Sequence, residues 1–237
     1  MNYTFESVMK ELQALGKERT KKIYLAQGAK EPIFGVATGA MKPMSRAIKT
    51  NQDLANQLYD SGNYDAMYFA GIIADPQAMT EADFEAWMDQ AYFYMISDYV
   101  VAVTLTESPL NLTLADKWIA SNEELRQSAG WSTYIWSLGR WKDDTFSKER
   151  IHALLKQASQ NIQTAPNRTK YSMSNFIHTV GLSYLPLHKE AMEIAANLGE
   201  IKYLGPNQKE ITLTPYLKIQ KDKDKGRIGF KRKYVRC

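Results

Sequence analysis

The chain has 237 residues, 44% of them hydrophobic, with 13 Gly and 8 Pro. That is enough apolar material for one large domain or a helical array, and too little Gly and Pro for a fibrous or disordered chain. The one Cys is the last residue, Cys237, so a single chain can build neither a disulfide framework nor a cysteine zinc site.

The opening MNYTFESVMKEL lacks a basic stretch followed by an apolar run, and no run approaches the roughly 20 apolar residues of a membrane span. The expectation is a reduced, cytoplasmic protein with no membrane partner. Net charge is +4, unevenly placed. Residues 218–237 hold nine Lys or Arg against two Asp, net +7, which leaves net −3 elsewhere from 21 basic and 24 acidic residues. A local basic end predicts either a polyanion contact or a solvated, flexible tail.

In chain order, the spacing of Phe5, Val8, Met9, Leu12 and Leu15 predicts an amphipathic helix over 3–15, stopped by Gly16. A basic helix follows over 18–27. Pro32, Gly35 and Gly39 then interrupt regular structure, with Phe34 and Val36 pinning the loop to the core. Helical pattern resumes at 45–50. Asn51 or Asp53, Asn63, and Thr80 with Asp83 read as the caps of three successive helices. An apolar helix is expected over 95–105, then a loop containing Pro109. Thr113 with Asp116, and Ser121 with Glu124, have the capping-box spacing, so two helix starts are expected in close succession. Further helices are predicted over 146–162 and 170–184. A last one opens at Pro186 and closes at Gly199. The alternation of EIKYL and KEITL around GPNQ predicts a β-hairpin over 200–212, and Thr214-Pro215 opens a short helix.

Short helices in pairs of about 35–40 residues, without parallel-strand signals, predict an all-α HEAT-type α-solenoid of antiparallel helix pairs with a short C-terminal β-hairpin. Residues 1–199 would form the array, and 200–237 a hairpin, short helix and basic tail on the same domain. The helix led by WIASNEELRQ carries wide apolar faces and one stripe of Arg126, Gly130, Thr133, Ser137 and Arg140. That stripe reads either as a solvated face or as a floor of small residues under a phosphate backbone.

No spacing marks an active site. His152, His178 and His188 have no metal-ligand register, and His178 reads as a core histidine. Asp143-Asp144 reads as a turn pair that caps helices, and the glycines form no phosphate loop. No metal or cofactor is expected. Five Trp and 14 Tyr supply mostly core, with a minority available to stack on bases or sugars.

Three runs, WIASNEELRQSAGWSTYIWSLGR, NQDLANQLYDSGNYDAMYFAGIIAD and MSNFIHTVGLSYLPLHKEAMEIAANLGEIKYLG, together resemble the HEAT-like DNA alkylation-repair proteins, typified by the AlkD-type alkylpurine DNA glycosylases. The resemblance spans residues 34–237, and GRIGFKRKYVRC is similar to the tail of one branch. In the glycosylases a pattern like SWWDxVD carries the catalytic aspartate. The resemblance places that aspartate at Val101, keeps an earlier acid at Asp98, and puts the tryptophan positions at Ile96 and Ser97. It places the catalytic arginine at Ser128 and a second pocket tryptophan at Thr179. Valine supplies no carboxylate and serine no cation, so the chain is similar to the AlkF/AlkG-like branch, which lacks glycosylase activity and binds branched DNA.

The resemblance therefore implies a bacterial, monomeric, non-catalytic DNA-binding protein that touches phosphates. The candidate contacts are Arg126 and Arg140 on the central helix. Lys202, Lys209, Lys223, Lys225, Arg227, Lys231, Arg232 and Lys233 are the candidates on the hairpin and tail. Two other functions stay open: a glycosylase in which Asp98 replaces the missing acid, and a solenoid that binds an acidic protein partner.

Overall fold

The computed structural model describes residues 3–205 and 208–236, so Pro206 and Asn207 of the expected turn and the terminal Cys237 lie outside the described residues. The described residues group into two compact units. One holds residues 3–111 with Arg236, and the other holds Leu112–Val235. No helix among the described residues is long and apolar enough to cross a membrane.

The first unit contains α1 (Phe5–Leu15), α2 (Glu18–Ala26), α3 (Lys42–Ile48), α4 (Gln52–Asp60), α5 (Tyr64–Ile73), α6 (Glu81–Gln90), α7 (Tyr94–Ile96) and α8 (Ala102–Thr106). The expected caps are present. Asn51 Oδ1 accepts from Leu54 N, Asn63 Oδ1 from Asp65 N and Ala66 N, and Thr80 and Asp83 close a reciprocal capping box.

Helix α5 is buried along most of its length and packs on α4, so this unit is built around it. Tyr59 stacks on Trp87 at 4.2 Å between ring centroids, and the Tyr59 hydroxyl donates to Trp87 O at 2.6 Å. The loop before α3 is pinned by Asp65 as well as by Val36. The Asp65 carboxylate accepts the backbone N–H of Phe34, Gly35 and Val36 at 2.6, 2.9 and 2.8 Å. Burial raises the Asp65 pKa, and the three amides oppose it.

The helix expected over 95–105 runs without interruption from Tyr94 to Thr106, and a π-helical stretch at Ser97–Val101 joins α7 to α8. A single extra residue in a helical turn shifts every later side chain around the axis, and apolar periodicity over so short a run does not register it.

The second unit holds most of α9 (Asn111–Ile119), then α10 (Glu124–Leu138), α11 (Lys148–Asn161), α12 (Asn167–Ser183), α13 (His188–Leu198), β1 (Ile201–Leu204), β2 (Glu210–Leu213) and α14 (Pro215–Asp224). Helix α12 is its centre, packed on α10, α11, α13, α14 and β1. Trp131, Tyr134, Phe176, Ile177, Ile201 and Ile219 are among the residues of one apolar core. Gly199 closes α13 with φ 62°, a left-handed conformation that glycine adopts without strain. The hairpin pairs antiparallel from Ile201↔Leu213 to Leu204↔Glu210.

Two expected capping boxes are absent. Helix α9 begins at Asn111, so Thr113 lies inside it, and Asp116 accepts from Tyr134 Oη at 2.7 Å and Arg150 Nη2 at 2.6 Å. Ser121 precedes α10 by three residues, and Glu124 turns to α12, where Oε1 accepts from Arg168 N at 2.5 Å. In both cases the acid meets a donor from another helix and abandons its local partner. The first-turn amides of α12 have no intrahelical acceptor, and Glu124 supplies one to Arg168 N.

Candidate nucleic-acid interface

The small-residue stripe of α10 is neither of the surfaces its composition suggests. Gly130, Thr133 and Ser137 are buried. A Cβ on Gly130 would stand 2.7 Å from Ala115 O and 2.8 Å from Ile119 N. The glycine therefore lets the backbones of α9 and α10 approach, and no phosphate can rest there. Thr133 satisfies its hydroxyl by donating to Ala129 O at 2.9 Å, while Ser137 Oγ is buried without a partner.

What does reach the surface is the end of that stripe. The α10 C-terminus is followed by Gly139, Arg140 and Trp141, and the Arg140 guanidinium lies over the Trp141 ring at 4.5 Å. The tail returns here: Arg232 N donates to Gly139 O at 2.6 Å, and the Arg232 guanidinium sits over Trp136 at 5.0 Å. Two arginines thus flank one glycine, each laid on a tryptophan face. Stacking leaves guanidinium edges directed outward, which suits phosphate or carboxylate recognition. The carbonyl-rich end of a helix also favours cations.

The basic tail is not a free coil. Gly229 N donates to Leu182 O at 2.7 Å, and Lys231 Nζ donates to Leu138 O and Asp143 Oδ1, each at 2.8 Å. Lys231 is therefore a latch between the tail and the turn after α10. Asp143 meanwhile also accepts from Leu185 N at 3.1 Å. At the far end Arg236, within the first unit, pairs with Glu107 at 2.6 Å and donates to Ala74 O at 2.8 Å.

The other predicted contacts differ in freedom. Lys209, Lys223, Lys225, Arg227 and Lys233 are exposed. Arg227 stands 3.6 Å from Asp222, and Lys233 lies over Tyr234 at 5.3 Å. Lys202 is paired with Glu210 across the hairpin at 2.8 Å, and Arg126 is half-buried against Glu123 at 3.0 Å. Arg140, Arg232 and the α14 cations belong to the second unit, with Arg140 and Arg232 in one cluster.

The hairpin is held on α12. The Asn167 side chain donates to Leu204 O at 2.5 Å and accepts from Leu204 N at 2.6 Å, so it ties the end of β1 to the start of α12. Tyr203 packs on Tyr171 at 5.2 Å, and Arg168 caps that ring at 4.3 Å. Helix α14 sits against α12 because Gly181 leaves space for Ile219, whose Cδ1 would meet an added Cβ at 2.6 Å. His178 Nε2 and Asp222 Oδ2 meet at 2.8 Å across this contact, an acid that no spacing in the sequence indicated. Burial lowers the His178 pKa and the Asp222 hydrogen bond opposes it. His188 donates to Gly181 O at 2.6 Å, and His152 pairs with Glu190 at 2.9 Å. Each histidine thus has a structural partner.

The residues that the resemblance sets against glycosylase catalytic groups are buried. Val101 is fully buried in the first unit. Asp98 is 1% exposed and accepts from Ser97 Oγ at 2.8 Å within the π turn, so it faces its neighbour and not solvent. In the second unit Ser128 is buried 3.1 Å from Ser172 Oγ, and Thr179 is buried on α12.

The chain matches known proteins by family and by fold. The family model described as DNA alkylation repair enzyme matches residues 8–203. Two uncharacterized proteins, Lin0241 of Listeria innocua and Lmo0209 of Listeria monocytogenes, are each 31% identical over 204 residues, covering 84% of this chain and 88% of theirs. A solved structure described as a new family of proteins related to the HEAT-like repeat DNA glycosylases with affinity for branched DNA structures is 59% identical. It covers 99% of this chain and 100% of its own, with a TM-score of 0.96. The fold is accordingly HEAT-like, with the short two-stranded sheet near its C-terminus. The chain belongs to the DNA alkylation repair enzyme family.

Proposed function

We propose that this chain binds branched DNA through phosphate contacts and excises no base. The observation that carries the reading is the 59% identity, over nearly the whole chain, to a protein described as having affinity for branched DNA. The residues support it. The stacked pair Arg140 and Arg232, the exposed Lys223, Lys225 and Lys233, and Lys209 near the hairpin tip supply cations without a base-reading element. Lys202, Lys231 and Arg126 are engaged within the fold and contribute less.

Removal of an alkylated purine needs a carboxylate beside the developing sugar cation. Val101 has none, and Asp98 is turned inward. The chain acts as a monomer without a cofactor. The test incubates it with an N-methylated linear duplex and, separately, with an unmethylated three-way junction. Retention of the junction with no released base is the expected result. Release of methylated base, lost in Asp98→Asn, would overturn it.

A further inference from the structure

We propose that Phe230 and Tyr234 on the C-terminal strap are stacking platforms for the unstacked base faces that a DNA branch point exposes; the inference rests on the branched-DNA reading and deepens it. The strap is held on both sides of Phe230. Gly229, at φ 84°, turns the chain and donates to Leu182 O, Phe230 N donates to Arg227 O at 2.9 Å, and Arg232 N donates to Gly139 O. These bonds fix which side chains face out. Lys231 is directed inward to Asp143, whereas Phe230 is 50% exposed and Tyr234 68% exposed.

An isolated apolar residue at a surface needs no explanation. Two aromatic rings on an anchored strap, interleaved with cations, form a more specific pattern. Arg232 is stacked on Trp136, and Lys233 lies over the Tyr234 ring. Arg140 follows the Gly139 carbonyl that holds the strap. Rings that accept a base face, beside cations that accept the flanking phosphates, are the two parts of a sequence-tolerant single-strand contact. A continuous duplex hides its base faces in the stack. A three-way junction exposes some of them at its centre, so the rings act as selectors for branching while the cations bind any DNA.

The experiment compares the full chain with Phe230→Ala, Tyr234→Ala and the double variant. It measures affinity for a three-way junction carrying 2-aminopurine at the branch and for a linear duplex of equal length. Both rings lie outside the core, so the variants keep the fold, and Phe230→Trp serves as the conservative control. The expected result is a loss of about 5- to 150-fold per ring in junction affinity. Duplex affinity stays unchanged, Phe230→Trp retains junction binding, and the 2-aminopurine quenching seen with the unaltered chain disappears. A junction preference that survives in the double variant overturns this inference alone, as does an equal loss on junction and duplex. An unaltered chain with no junction preference overturns the branched-DNA reading and this inference with it.

Discussion

Gly130 and Ser137 lie on the same buried seam of α10 and make opposite demands. Gly130 has backbone atoms of α9 within 3 Å of where a Cβ would stand. Gly130→Ala should therefore destabilise the chain by about 1–3 kcal/mol through overpacking, measured by chemical denaturation. Ser137 buries a hydroxyl with no partner. Ser137→Ala should leave stability unchanged or raise it by up to about 1 kcal/mol. The reverse order of the two effects would contradict the packing described. His178 adds a pH dependence. Burial holds its folded pKa below the usual 6.5, so the unfolded chain takes up the proton first as pH falls. The neutral form's contribution is complete above about pH 6.5 and is lost as pH falls through 6.5 towards the lower folded value. His178→Gln should flatten that part of the stability profile. An unchanged slope between the two chains would show that His178 does not titrate there.

At the scale of elements, legibility followed whether a signal was local. Asn51, Asn63, Thr80 with Asp83, and Gly199 each complete their hydrogen bonds or backbone turn within a few residues, and each marks the boundary that the sequence indicates. Glu124 and Asp116 have the same local spacing, yet their partners, Arg168 N and Arg150, are 44 and 34 residues away. No local rule contains such a competitor. The small stripe of α10 failed for a related reason. Small polar residues suit a solvated face and a close helix crossing equally well, and only the position of α9 decides between them. The hairpin was legible from its alternation, but its attachment through Asn167 was not. Asn167→Ala should cost about 1 kcal/mol, since two hydrogen bonds are replaced by water at a partly exposed strand. Amide exchange of β1 and β2 should accelerate while α10 keeps its protection. Unchanged exchange in the hairpin would mean that the packing of Ile201 and Tyr203 holds it without Asn167.

For the whole molecule, the uneven charge was legible from the sequence, and its organisation was not. Residues 218–237 carry net +7. In the folded chain some of those cations are engaged internally, as Lys231 and Arg236 are, and others are displayed on α14 and the strap. Composition concentrates the candidate contacts near the C-terminus, but the stacking of Arg232 on Trp136 depends on a return of the tail that no periodicity encodes. The family resemblance sets Val101 where a glycosylase would hold its carboxylate, a reading that rests on residue type and not on geometry. The central claim is that the chain binds branched DNA in preference to continuous duplex, with its cations contacting the phosphates. The measurement that tests it most directly is the affinity of the full chain for a three-way junction and for a linear duplex of equal length, each at two salt concentrations. The account predicts tighter binding to the junction at both, with log affinity falling as log salt rises for each DNA. Equal affinity for the two DNAs, or junction binding indifferent to salt, would contradict it.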